Sequence, residues 1–194
     1  VGEDTIYLNQ DKTIAVNEEV MNDEVLTDLG VKREDLTATT AAEVGNIFTL
    51  RYKFSEPINL KFDGQDGVKK TVFMGSYGIG VSRVMGVIAE KFADDKGLVW
   101  PENIAPFKYY LIGIGDQGED FANNLHKEYL SSILLDDRKL RPGEKFADAE
   151  LMGIPYRVVV SNKTLENNSV EITNRQTGET KIISTEEFKQ SLQD

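Results

Sequence analysis

The chain has 194 residues, with 22 lysines and arginines against 33 aspartates and glutamates, a net charge of −11, no cysteine and one histidine, His126. That length holds one large domain or two small ones; the acidity argues against indiscriminate nucleic-acid binding, which needs a basic surface, and the missing cysteines exclude disulfides and thiolate metal sites. No run approaches the roughly 18 apolar residues of a membrane span and no signal-peptide layout opens the chain, so a cytoplasmic setting is expected, with no resident metal and no membrane partner.

The chain begins at Val1 rather than Met and opens on an apparent strand, Thr5 to Leu8, so it is expected to be a piece of something longer. Residues 9 to 40 are polar and acidic and read as a connector, with a short helix over Asn17 to Leu29 that Gly30 stops. From Ile47 onward Phe48, Leu50, Tyr52 and Phe54 alternate with polar residues, the period of a half-buried strand. A second extended run, Ile58 to Phe62, meets the turn "DGQDG", and Thr71 to Met74 leads out of it, which predicts an antiparallel hairpin. Next comes "MGSYGIGVSR", residues 74 to 83, and then a helix on which Val81, Val84, Met85, Val87, Ile88 and Phe92 share a face.

"WPENIAPF", residues 100 to 107, interrupts regular structure with two prolines, and the domain boundary is placed there: 1–105 and 106–194. Beyond it the pattern alternates: strand Tyr109 to Ile114, helix about Glu119 to Ser131, strand Ile133 to Leu135, helix Lys145 to Met152, strand Tyr156 to Ser161. This order predicts a small α/β domain on a largely parallel sheet. A hairpin, Ser169 to Arg175 with Lys181 to Ile183, and a helix capped by Ser184 or Thr185 complete the chain.

Two stretches carry chemistry. Gly75 to Ser82 matches a Walker A loop except that Val81 stands where the phosphate-binding lysine belongs, and Gly78 and Gly80 begin a dinucleotide fingerprint that Arg83 spoils. What remains is a strand ending in glycines, with an arginine on the next helical turn. Spacing alone leaves a tight structural turn and a phosphate-holding site equally open. In "DDRKLRPGEKF", residues 136 to 146, the plain reading is a solvated loop with an ion pair worth under about 1 kcal/mol. The functional one is base recognition: carboxylates accept from amino groups, Lys and Arg approach guanine acceptors, and Phe146 stacks an unstacked base.

The order strand, glycines, helix with arginine resembles motif 3 of the class II aminoacyl-tRNA synthetases, in the version of the bacterial-type prolyl-tRNA synthetases. "EVGNIF" at 43 to 48, "GLVWPENIAPF" at 97 to 107, "LLDDRKLRPGEKFADAELMGIPYRVVV" at 134 to 160 and "GEDTI" at 2 to 6 resemble further segments of that family in the same order. The resemblance implies an α/β (α+β) protein: the C-terminal part of a class II antiparallel catalytic sheet over 1–105, then an α/β anticodon-binding domain over 106–194. It implies ATP, with Mg2+ brought by it, and proline as substrates, proline tRNA as partner, and a homodimer for the full enzyme. Arg83 would be the catalytic contact to the ATP γ-phosphate, with Gly78, Gly80 and Ser82 beside the nucleotide. Glu43, Gly45, Asn46, Phe48 and Ser76 would line the proline and adenylate pocket, and Asp136, Asp137, Arg138, Lys145, Phe146 and Asp148 would meet the anticodon. Asn46 stands where the family pattern has His and Ser76 where many bacterial members have Cys. Only a short stretch occupies the place of the editing insertion of many members, and motifs 1 and 2 are absent, so this chain alone is expected to be inactive. The rival expectation is a freestanding tRNA-binding module that borrows the synthetase fold without chemistry.

Overall fold

A computed structural model describes residues 1–193 and divides the chain into two compact units, Val1–Val87 and Ile88–Asp194. In the first, β1 (Asp4–Leu8) lies between β2 (Ala15–Asn17) and β3 (Thr37–Ala41), antiparallel to both. The stretch read as a connector therefore supplies two strands, and Val16, turned inward from β2, is fully buried. The single helix expected over Asn17 to Leu29 is split into a 3-10 turn, Glu18–Val20, and α1 (Asp23–Asp28). Asn22 causes the break, because its side chain accepts from Val25 N at 3.0 Å and so starts a new helix at Asp23.

Next come β4 (Gly45–Arg51), β5 (Lys61–Asp63), β6 (Lys69–Thr71) and β7 (Met74–Ile79). β4 pairs with β7 and β5 with β6, each as an antiparallel two-stranded ribbon. The run from Ile58 is shorter than its sequence suggests, because residues 52–59 form turns and Leu60 N donates to Ser55 O at 2.9 Å. The glycines do not end the strand either. Gly75 and Gly78 lie within β7, and only Gly80 forms the turn into α2 (Val81–Phe92).

The second unit is built on β8 (Tyr109–Ile114), whose residues 109–113 are buried. α3 (Gly115–Glu128) leads to β9 (Ile133–Leu135), and α4 (Pro142–Met152) leads to β10 (Tyr156–Ser161) on the other side of β8. Both pairings of β8 are parallel. A short α5 (Asn162–Glu166), unforeseen in the sequence, is followed by β11 (Ser169–Asn174) and β12 (Thr180–Ser184), which add antiparallel, and by α6 (Thr185–Gln190). The sheet is thus mixed, in the order β12-β11-β10-β8-β9. One face packs Tyr109, Leu111, Val158, Val160 and Val170 with Ala122 and Leu125 of α3 and Phe188 of α6. The other packs Tyr110 and Ile112 with Ala149 of α4, Ile154 and the partly buried Phe146. Burial on both faces is why β8 reads as an unbroken apolar run. α4 starts earlier than its apolar spacing suggests, since Pro142 suits a first helical turn and Glu144 accepts from Arg141 N at 3.1 Å.

Residues 94–100 are strapped to this unit. Arg175, almost fully buried, forks onto Asp94 at 2.6 and 2.7 Å, Leu98 N donates to Leu151 O at 3.0 Å, and Trp100 N donates to Gly153 O at 3.1 Å. The chains run so close that a Cβ on Gly97 would lie 2.5 Å from Leu151 Cα, and one on Gly153 would strike Leu98 O.

Gly118 on α3 faces a similar constraint, because a Cβ there would lie 2.6 Å from Val160 O, a backbone atom that cannot rotate away. Gly118→Ala is expected to destabilise the second unit by about 1–3 kcal/mol. Gly143→Ala, with nothing within 4 Å of the added carbon in α4, is expected to be neutral or stabilising by up to about 1 kcal/mol. Urea unfolding followed by the fluorescence of Trp100, the single tryptophan, reports on this unit and separates the two outcomes.

Candidate functional site

The first unit carries an open depression of about 290 Å³ where β4, β7 and the start of α2 meet. Register pairs Asn46 with Gly78 and Phe48 with Ser76, so these four residues share one face of the ribbon. Nothing lies within 4 Å of where a Gly78 side chain would begin, which leaves a bare backbone floor. Gly80 N donates to Val44 O at 2.9 Å, and Gly80 O accepts from Val84 N at 2.8 Å, so this glycine ends the pairing and starts α2. That fixes Arg83 on the first helical turn at the rim. Its Nη1 donates to Glu43 O at 2.9 Å, and among the described residues no carboxylate pairs with it. Asn46 Nδ2 donates to Glu43 Oε1 at 2.7 Å and orients that carboxylate. Glu43, Gly45, Asn46, Gly78, Gly80 and Arg83 all line the depression; Ser82 is exposed on α2, while Phe48 and Ser76 continue the floor along the ribbon. An uncompensated guanidinium over a glycine floor is suited to phosphate oxygens.

The second unit has a smaller hollow, about 120 Å³, outside the carboxyl ends of β8 and β9. It forms there because α3 and α4 leave for opposite faces and opposite neighbours of β8, which opens a crevice at the strand ends. Gly113, residues 135–139, Glu119, Asn123 and Lys145 line it. Asp136 is no solvated loop residue: its carboxylate is fully buried. It accepts from Tyr110 Oη at 2.7 Å and from Arg138 Nε and Nη2 at 2.9 and 2.7 Å. Arg138 Nη1 reaches Asp148 at 2.8 Å, so a half-exposed guanidinium is clamped between two carboxylates. These bonds hold the Asp136 carboxyl down at about 2, the Arg138 fork being the largest cause and burial opposing it. Burial, and then the hydrogen bond to the Asp136 carboxylate, push the Tyr110 phenol well above its usual range.

Lys145 is 5 % exposed, and its ammonium donates to Asp136 O at 2.9 Å. Among the described residues no carboxylate pairs with it. Phe146, expected to stack a base, is packed against the α4 side of the core with the Arg157 guanidinium 4.7 Å over its ring, so that face is taken. Asp137 is exposed beside the hollow.

Sequence reasoning missed Tyr110, which an apolar strand conceals. It also missed Gly113 and Gly118, although "GIGDQG" at 113 to 118 follows a strand and opens a helix with the spacing of a dinucleotide fingerprint. Here those glycines serve close helix-to-strand packing, and Gly118 N is met by Asn162 Oδ1 at 3.3 Å. Asp94 is committed to Arg175, and no metal-holding cluster exists among the described residues.

Residues 108–194 match the family described as "Anticodon binding domain". The whole chain is similar to curated proteins named proline–tRNA ligase. The one from Ehrlichia chaffeensis is 35 % identical over 98 % of this chain and 49 % of its own length. That of Persephonella marina is 42 % identical over 84 % and 30 %, and that of Levilactobacillus brevis 44 % over 81 % and 29 %. The chain thus spans about half the length, or less, of the curated relatives it matches. Among solved structures, a crystal structure of prolyl-tRNA synthetase from Cryptosporidium parvum complexed with L-proline and AMP superposes with a TM-score of 0.66 at 24 % identity, covering 78 % of this chain and 35 % of that one. At that identity the likeness speaks for the fold.

The buried Asp136 makes a pH prediction. Its carboxyl is lower in the folded chain than the ordinary value of 3.8, so its contribution, on the order of 2 kcal/mol, is complete above about pH 4 and is lost as pH falls through about 2. Urea midpoints of wild type and Asp136→Asn should therefore differ at pH 7 and converge between pH 4 and 2.

Proposed function

We propose, from the premise that this chain is by sequence a member of the prolyl-tRNA synthetase family, that its second unit reads the anticodon of a proline tRNA. Its first unit then contributes a nucleotide-phosphate contact to an ATP-dependent proline ligase in the cytoplasm. The observation that carries the reading is Lys145, a buried ammonium with one hydrogen bond and two donors unspent, lining a hollow walled by Asp136 and Arg138. A buried charge of this kind is costly unless a ligand completes its bonding. Guanine supplies what is missing: O6 and N7 accept from Lys145 or Arg138, and its amino group donates to an exposed carboxylate such as Asp137. The two guanines of a proline anticodon suit this donor and acceptor set. Asp136 and Asp148 act as positioning residues that hold Arg138, and Phe146 supports Arg157 and the core.

In the first unit, Arg83 would exchange the Glu43 carbonyl for a γ-phosphate oxygen of ATP, with Mg2+ arriving on the nucleotide. Gly78 and Gly80 would let the adenylate approach backbone, and Asn46, Phe48, Ser76 and Glu43 would face the proline end. Charge neutralisation and positioning are most of what adenylate formation asks of a protein.

The test is binding of the chain to proline tRNA and to the same tRNA with both anticodon guanines replaced, at two salt concentrations. Replacement should weaken binding at least about tenfold at both salts, each lost base contact being worth about 1–3 kcal/mol. Equal, steeply salt-dependent binding to both RNAs would overturn the anticodon reading. Lys145→Met, which keeps the buried stem, should lose the discrimination with the second unit still folded. In the ligase completed by the rest of its catalytic domain, Arg83→Ala should lower proline-dependent pyrophosphate exchange about a hundredfold or more.

A further inference from the structure

We propose that the hollow of the second unit binds free guanosine nucleotides, in competition with tRNA. The inference rests on the guanine reading of that hollow and extends it from a base held in RNA to the same base on a mononucleotide. Size comes first. A closed cavity of about 150 Å³ takes one benzene ring, and the hollow holds about 120 Å³ with exposed residues at its mouth. It therefore admits one flat base with the sugar left outside, and two neighbouring bases cannot enter together.

The group that chooses the base lies inside. The Lys145 ammonium is buried and held in place by its bond to Asp136 O at 2.9 Å, with two donors left over. O6 and N7 of guanine are two acceptors on one edge, so a single base can take both. Adenine carries an amino donor where guanine has O6, which sets donor against donor and leaves a buried charge short of an acceptor. On the acceptor side, Asp136 is committed to Tyr110 and Arg138, and Asp148 to Arg138. Asp137 and Glu119, exposed in the lining, are the carboxylates left for N1–H and the 2-amino group of guanine.

The mouth adds one charge. Arg138 is clamped between Asp136 and Asp148, whereas Lys139 is exposed and, among the described residues, in no ion pair, so it can meet the phosphate of one nucleotide. Proteins that bind nucleic acid tightly do so mainly through many phosphates. Here the base edge carries the recognition and a single phosphate suffices, so a free nucleotide keeps the contacts that the hollow offers to the same base in RNA.

The experiment titrates the isotope-labelled full chain with GMP, AMP and IMP to about 10 mM, well above the roughly 1 mM constant of a ligand held by a few contacts. Amide signals of Gly113, Asp137 and Lys139 report on the hollow, and those of Gly78 and Gly80 identify any binding in the first unit. GMP should move the hollow's signals at least about tenfold more tightly than AMP, and IMP, which lacks only the 2-amino group, should fall between them. GMP should also displace a fluorescein-labelled anticodon stem-loop of proline tRNA, with AMP about tenfold less effective. Lys145→Met should abolish the GMP response; its amide spectrum shows whether the variant is folded, and the comparison of bases on the wild-type chain does not depend on it. Equal responses of the hollow to GMP and AMP, a response confined to Gly78 and Gly80, or binding of GMP without displacement of the stem-loop each overturns the proposal. Failure of GMP with intact discrimination between the two proline tRNAs strikes this proposal alone. Loss of that discrimination with GMP still bound in the hollow strikes the anticodon reading, and the competition with it.

Discussion

The second unit depends on one constraint: β8 is buried on both faces, so both faces must be covered by helices that leave it in opposite directions. Tyr109 and Leu111 face α3 and α6, while Tyr110 and Ile112 face α4. The crossover to β9 runs one way, and the next, to β10, returns past β8 on the other side. A hollow at the strand ends is the geometric remainder of that arrangement. Its chemistry comes from what stands just past β9. Burying Asp136 demanded partners, and Tyr110, Arg138 and the main-chain link to Lys145 supply them. The network that makes the hollow polar is the same one that makes a carboxylate tolerable there.

Legibility in the sequence followed the same physics. β8, β10 and the cap of α6 could be read because long apolar runs and a Ser-x-x-Glu pattern are local signals. β2 and β3 could not, since "AVN" and "TATTA" acquire strand character only by pairing with β1. In the hollow, Asp136, Arg138 and Lys145 were legible as residues of interest, and their burial was not. A charged loop in sequence looks solvated, and nothing local reveals that Tyr110, 26 positions earlier, reaches one of its carboxylates. Phe146 illustrates the converse: an aromatic beside charges suggests stacking on a ligand, yet Arg157, from another strand, occupies its face.

The first unit shows a different balance. Its two ribbons are only two strands wide, so apolar residues on both faces remain in solvent: Ile47 and Tyr77 are more than four-fifths exposed, and Phe48 on the other face is about half exposed. The glycine turn, Arg83 and the Glu43–Asn46 pair nevertheless hold a defined shape. They are fixed by backbone pairing and by the helix start, which do not require a deep core. Local geometry here is set by hydrogen bonds, whereas in the second unit it is set by packing.

The strap over residues 94–100 bears on how this unit can be moved between proteins. Gly97 and Gly153 are pressed against main-chain atoms of each other's segments, so the fit is reciprocal and no trimming of a side chain could accommodate a methyl group at either place. The family match begins at residue 108, yet the piece that seats against α4 and Arg175 lies ahead of it. A chimera joined at 108 would strip Gly153 and Arg175 of their partners and expose a groove shaped for one particular peptide. The transferable module begins before Asp94, and its true edge is drawn by Gly97 and Asp94, which lie outside the recognised family segment and fit against Gly153 and Arg175 within it.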